Sequence, residues 1–237
     1  MGTAGAIWRC LAVFGMAPAA GLSYLVSMKE IAPEQHYEFR KGAGDVLVIA
    51  CGALARELVA LVEMNGWRQL DIQCLPAIWH NTPEKIPEGV RTAIQKAKAA
   101  GRYGSIFVAY GDCGTGGLLD KVIEAERVAR IDGPHCYSFF SGNEAWKGHE
   151  DEITAFYLTD YLARHFDTLV WKGFGLDRHP ELKDMMFSNY TKVVYLAQTE
   201  DLHLQDLAKQ AAAKLGLEYE YRFTGYGDLA AALKAIA

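Results

Sequence analysis

Val46-Leu47-Val48-Ile49-Ala50-Cys51-Gly52-Ala53 decides the fold class. Val46 to Ala50 is an unbroken apolar run, which suits a strand covered on both faces, as in a parallel sheet. Leu54, Leu58, Leu61 and Val62 then recur at helical spacing until Gly66 supplies a stop. The same traffic continues along the chain. Strands are expected at Leu70 to Leu75, Ser105 to Tyr110, Val128 to Ile131, Lys192 to Leu196 and Leu217 to Phe223. Helices are expected over Glu84 to Ala100, Gly117 to Glu126, Leu158 to Val170 and Leu202 to Leu215, with a last one from Tyr226. Strand and helix in alternation predict an α/β fold, a mostly parallel open sheet with helices on both faces, in the manner of a Rossmann-like three-layer sandwich.

The 237 residues are 51% hydrophobic and 22% charged, which excludes disordered, collagen-like and coiled-coil classes. They suffice for one α/β domain over residues 41–237. A formal charge of −5 leaves no basic surplus for phosphate backbones, so no nucleic-acid partner is expected. Five cysteines, an odd and irregularly spaced set, do not make a disulfide scaffold and point to a reducing cytoplasm. Residues 1–40 read as an N-terminal extension. Ala6 to Val26 is apolar but interrupted by Arg9 and Pro18, and Met28 offers an alternative start. No membrane partner is expected unless residues 6–26 are a genuine signal or anchor.

In open parallel sheets, ligands bind beyond the carboxyl ends of the strands. Cys51 follows the first strand, Cys113 follows Ser105 to Tyr110, and Cys136 follows Val128 to Ile131, while Trp79-His80-Asn81 lies just past Leu75. Free cysteine is often only a small buried hydrophobe, and that reading suits Cys10 and Cys74. Glycine neighbours and strand-end placement favour a site for the other three. Cys51, Cys113 and Cys136, with His135 or His80 as a fourth ligand, form a candidate soft-metal set, either tetrahedral zinc or an iron-sulfur cluster. A metal-free thiolate stays open as the alternative, with Cys113, His80 and Asp112 as catalytic candidates. Gly111 to Gly117 is neither a Walker loop nor a dinucleotide turn. Its glycines are expected to aim Cys113 and to leave amides free, so Gly114, Thr115 and Gly116 are candidate substrate contacts. Arg178 and His179 in Gly173 to Pro180, and Gln198 after the strand at Leu196, complete the candidate small-molecule site.

Ala50-Cys51-Gly52, Tyr110-Gly111-Asp112-Cys113-Gly114-Thr115-Gly116-Gly117, Gly133-Pro134-His135-Cys136 and Leu176-Asp177-Arg178-His179-Pro180 together resemble a bacterial and archaeal family known as a domain of unknown function. The resemblance spans Asp45 to Leu233. Members are often encoded beside corrinoid-dependent methylamine methyltransferases, so the resemblance implies a setting in one-carbon or methylamine metabolism, with corrinoid reached only through a partner methyltransferase. The leading expectation is a metal-binding protein or enzyme of methyl or thiol chemistry. Its rival is a metal-free binding module for a corrinoid, a methylated amine or a partner methyltransferase, with the aromatics around Trp146 as a cage.

Overall fold

The computed structural model describes residues 31–40, 44–148 and 152–237. The fold is mixed α/β with mostly parallel strands, and the strands divide into two sheets. Strands β1 (Tyr37–Phe39), β2 (Val46–Cys51), β3 (Leu70–Leu75), β4 (Ser105–Ala109) and β5 (Ala129–Arg130) form the larger sheet in the order β1-β3-β2-β4-β5. All its pairings are parallel except that of β1 with β3. Strands β6 (Ala155–Thr159), β7 (Lys192–Ala197) and β8 (Glu218–Phe223) form an all-parallel second sheet in chain order.

Strand β2 shows why its sequence does not alternate. Val46, Val48 and Ala50 enter one hydrophobic cluster, with helix α1 (Ala55–Asn65). Leu47 and Ile49 enter another, with helices α2 (Ile86–Ala100) and α3 (Leu118–Glu126). Period 2 sends neighbours to opposite faces, and both faces are dry. Each fully buried Val, Leu or Ile side chain contributes about 1.5–3 kcal/mol relative to exposure. Helix α1 stops where expected, at Gly66 in the left-handed region (φ 66°).

After β5 come the short helices α4 (Cys136–Ser141) and α5 (Asn143–Trp146). The expected helix over Leu158 to Val170 is instead β6, then helix α6 (Asp160–Arg164), then a π-helical turn, Asp167–Trp171. Leu158, Leu162, Phe166, Leu169 and Val170 do share one cluster, which is why their spacing reads as helical. Parallel pairing with β7 overrides that pattern as far as Thr159, and the Thr159 hydroxyl then caps α6 by accepting the Leu162 N–H. Helices α7 (Leu182–Phe187), α8 (Leu202–Leu215) and α9 (Gly227–Ile236) complete the fold.

Residues 31–40, grouped above with the N-terminal extension, take part in the fold: Ile31 and Phe39 are buried and β1 borders β3. Ala6 to Val26 and Cys10 lie outside the described residues. Among the described residues no helix is long and apolar enough to cross a membrane.

Candidate functional site

The carboxyl ends of β2, β3 and β4, and the turn after β5, meet at one cavity. Cys51 is the last residue of β2, and it packs against all three principal hydrophobic clusters. Cys113 lies in the loop after β4, Cys136 opens α4, and His80 lies in the short helical turn Ala77–Asn81 after β3. All four line the cavity with Tyr110, and Thr159, Tyr161, Leu162 and Leu169 cover it from the second half of the chain. Its volume is about 40 Å³, room for roughly three waters or a small ligand.

Local structure holds the thiols in place. The Asp112 N–H donates to the Gly133 carbonyl at 3.2 Å and the Cys113 N–H to the Pro134 carbonyl at 2.7 Å, which binds the β4 loop to the turn before Cys136. A side chain at Gly111 would put its Cβ 2.8 Å from the His135 backbone, so only glycine lets the two loops approach this closely. Cys113 itself has φ 51°, in the left-handed region that non-glycine residues seldom occupy. Asn81 Nδ2 donates to the Leu169 carbonyl at 2.7 Å and ties the His80 turn to the second half.

The electrostatics overturn one expectation. The position of Cys113 before a helix predicts a favoured thiolate, yet α3 begins only at Leu118. Burial first, and then the neighbouring Cys51, push the Cys113 thiol up to about 12, against weaker help from backbone N–H groups. A helix terminus contributes only about 0.3–1 kcal/mol, too little to offset removal from water. Burial likewise lifts Cys51 to about 11 and Cys136 well above the ordinary thiol value, the latter also through Cys113 and Cys51. Without a cation beside them the three are neutral thiols at neutral pH. The Tyr110 hydroxyl is buried against the Cys51 sulfur, yet it has no partner in ordinary hydrogen-bond geometry among the described residues. His80 lines the cavity on one side and meets solvent on the other, and desolvation on the cavity side lowers its pKa.

The glycine loop differs from expectation as well. Asp112 turns its carboxylate into the loop, accepting from the Thr115 hydroxyl (2.7 Å), the Gly117 N–H (2.8 Å) and the Gly116 N–H (3.1 Å). Burial raises its pKa, but these hydrogen bonds outweigh burial and hold it below the usual carboxylate range. The Gly116 and Gly117 amides are therefore satisfied by the loop's own acid, and the Thr115 N–H donates to the Asp112 carbonyl at 3.0 Å. Gly114, Thr115 and Gly116 do not line the cavity, and neither does Asp112.

The remaining candidates fall into three places. His135 is not part of the lining; its ring packs on Tyr137 and Trp146 at 5.2 and 4.9 Å, with a buried Nδ1 that lacks a partner among the described residues. Burial, and to a lesser degree repulsion from His80, lower its pKa. Arg178 and His179 are exposed, with Asp177 4.0 Å from the first and Glu181 3.2 Å from the second, and neither lines the cavity. Gln198 is buried, but its Oε1 accepts the Asp160 N–H at 2.8 Å and its Nε2 donates to the Leu196 carbonyl at 2.6 Å, which makes it a brace for the strand ends. Trp146 and Tyr157 lie 4.9 Å apart and Tyr137 and Tyr157 5.7 Å, in direct contact over β6 and β7. That is core packing, not an open cage.

Residues 74–233 match the family described as protein of unknown function DUF1638. The chain belongs to this family. Neither a curated protein nor a solved structure matches it. The DUF1638 stretch contains His80, Tyr110, Cys113 and Cys136, whereas Cys51 precedes it.

Sequence reasoning missed a second buried polar group nearby. Asp160, fully buried, accepts from the Tyr195 hydroxyl (2.6 Å), the Gln198 N–H (3.0 Å) and the Thr199 hydroxyl (2.5 Å). Glu57 of α1 is buried, with Oε2 unpartnered among the described residues; burial and then Asp160 push its carboxyl up to about 7. The β-forming run Phe156-Tyr157-Leu158-Thr159 before an acid was the signal available for Asp160.

Proposed function

We propose that this DUF1638 protein is a metalloprotein in which Cys51, Cys113 and Cys136 hold a thiophilic centre, zinc or an iron-sulfur cluster, with His80 as the neighbouring imidazole. One observation carries the reading: three thiols from three separate strand ends line a single small cavity with a histidine. The donors suit a soft cation, since burial and mutual repulsion raise their pKa and a positive charge between them offsets both effects. Among the described residues no three His, Cys, Asp or Glu side chains stand at ligand spacing. Binding therefore draws the Cys113 loop and the Cys136 turn inward, and the two move together because their backbones are hydrogen-bonded. Of the two candidate histidines, His80 lines the cavity and His135 does not, which favours His80.

A bound centre would supply a site for activating a small thiol or methyl group. The chain's own contribution would be to exclude water with Leu162 and Leu169 and to present the Tyr110 hydroxyl as a donor. A setting in methylamine or one-carbon metabolism, beside a corrinoid methyltransferase, rests on the family resemblance alone.

Metal analysis of protein purified without oxygen tests the reading. Near-stoichiometric zinc or iron, lost in Cys113→Ala and Cys136→Ala, is expected. Less than about a tenth of an equivalent, the same in the variants, ends it.

A further inference from the structure

Edge strands expose unpaired backbone groups, and proteins usually blunt them by shortness, lysine, proline or cover. The larger sheet does so by shortness, because its edges β1 and β5 have 3 and 2 residues. Strand β8, at one edge of the second sheet, is guarded instead by charges, Glu218, Glu220 and Arg222, which admit only a partner of matching charge order. It is 6 residues long, contains neither lysine nor proline, and among the described residues pairs only with β7. Tyr221 and Phe223 on it are 39% and 49% exposed.

Its sequence, Tyr219-Glu220-Tyr221-Arg222-Phe223, is self-complementary about Tyr221. If two copies are laid antiparallel around a two-fold axis at that residue, Glu220 of each stands opposite Arg222 of the other. Tyr219 stands opposite Phe223, and the two Tyr221 residues meet. The faces agree too. Glu220 and Arg222 lie level with Val194 and Leu196 of β7, while Tyr219, Tyr221 and Phe223 lie level with Val193, Tyr195 and Ala197. Opposite charges thus meet on one face and aromatic rings on the other, the pairings that stabilise antiparallel strands. The charges are already held extended: Arg222 binds Glu152 at 2.8 Å as well as Glu220, and Lys192 binds Glu220 at 2.7 Å.

We propose that β8 is the contact of an isologous homodimer, in which two copies pair these edges antiparallel about Tyr221 to make one continuous six-stranded sheet. The partner is a second copy of this chain because the charge order along β8 complements itself.

Sedimentation of the full chain at micromolar concentration is expected to give a dimer. Arg222→Glu alone, which sets like charges opposite at both ends, and Glu220→Arg alone are each expected to weaken it by about tenfold or more. An equimolar mixture of the two variants is expected to recover the dimer, since the acidic edge of one then faces the basic edge of the other. Should either variant misfold, hydrogen exchange on the wild type decides: β8 amides are protected at high concentration and lose that protection on dilution. A monomeric wild type, a dimer indifferent to both reversals, a mixture no more dimeric than its components, or β8 exchange that ignores concentration would each overturn the proposal.

Discussion

Both sheets bury polar groups at their carboxyl edges, and they treat them in opposite ways. Beyond β6 and β7, Asp160 has three donors on its carboxylate and its own N–H on Gln198. Beyond β2 and β4, among the described residues, His135 Nδ1 is buried without a partner and the Tyr110 hydroxyl meets only the Cys51 sulfur, burial raises the pKa of three thiols, and Cys113 sits in the left-handed region. Native interiors pair nearly all buried polar groups, and the unpaired and strained groups at this edge support the proposal that a ligand sits there. Asp160 is scaffold by this measure, although Arg164 Nη1 on the same helix has no partner among the described residues. A buried polar residue locates a site only after its partners have been counted.

The sharpest way to break this contrast is Asp160→Ala. It would strand the donors of Tyr195, Gln198 and Thr199 together, and a loss of about 3–5 kcal/mol in urea unfolding is expected. A loss under about 1 kcal/mol would mean that the satisfied edge is not structural.

Glu57 stands between the two edges, pressed by Asp160 and acting on Cys51. Its folded pKa of about 7 lies above the ordinary 4.5, so the folded state holds the extra proton between those values. Stability from this group is full below pH 4.5 and falls as pH rises through 7, by about 3 kcal/mol for a shift of this size. Glu57→Gln is expected to abolish that decline and to exceed the wild type in stability above pH 7. Parallel stability curves for the two proteins from pH 5 to 8 would refute the assignment.

The smallest effect is the most discriminating. Tyr195→Phe removes a donor from Asp160 and is expected to cost about 1–3 kcal/mol, whereas Tyr110→Phe removes a hydroxyl that lies only against the Cys51 sulfur among the described residues and is expected to be near neutral in metal-free protein. Equal costs from thermal melts would erase the distinction between the edges.

Much of the fold was legible because backbone propensity and hydrophobic period are local. Val46 to Ala50 announced a strand buried on both faces, Gly66 and Gly101 ended their helices as expected, and Leu202 to Leu215 is helical to the residue. The error over Leu158 to Thr159 had a non-local cause. Pairing with β7, some 35 residues away in sequence, overruled a helical spacing that also served the core. The thiols were legible as strand-end residues, but Arg178, His179 and Gln198 were not separable from them, since side-chain direction and partnership are absent from a one-dimensional pattern.

Sequence alone determined the α/β class, the succession of most elements and the placement of Cys51 at the end of a strand and of Cys113 and Cys136 beyond strands, because each follows from periodicity and turn chemistry within short windows. Tertiary structure alone decided that the strands form two sheets, that His80 and not His135 lines the cavity with the thiols, that Asp112 serves its own loop, and that burial raises the pKa of all three thiols. Those outcomes depend on which distant groups share a volume without water, and the cost of burying charge there is set by neighbours brought together only when the chain folds.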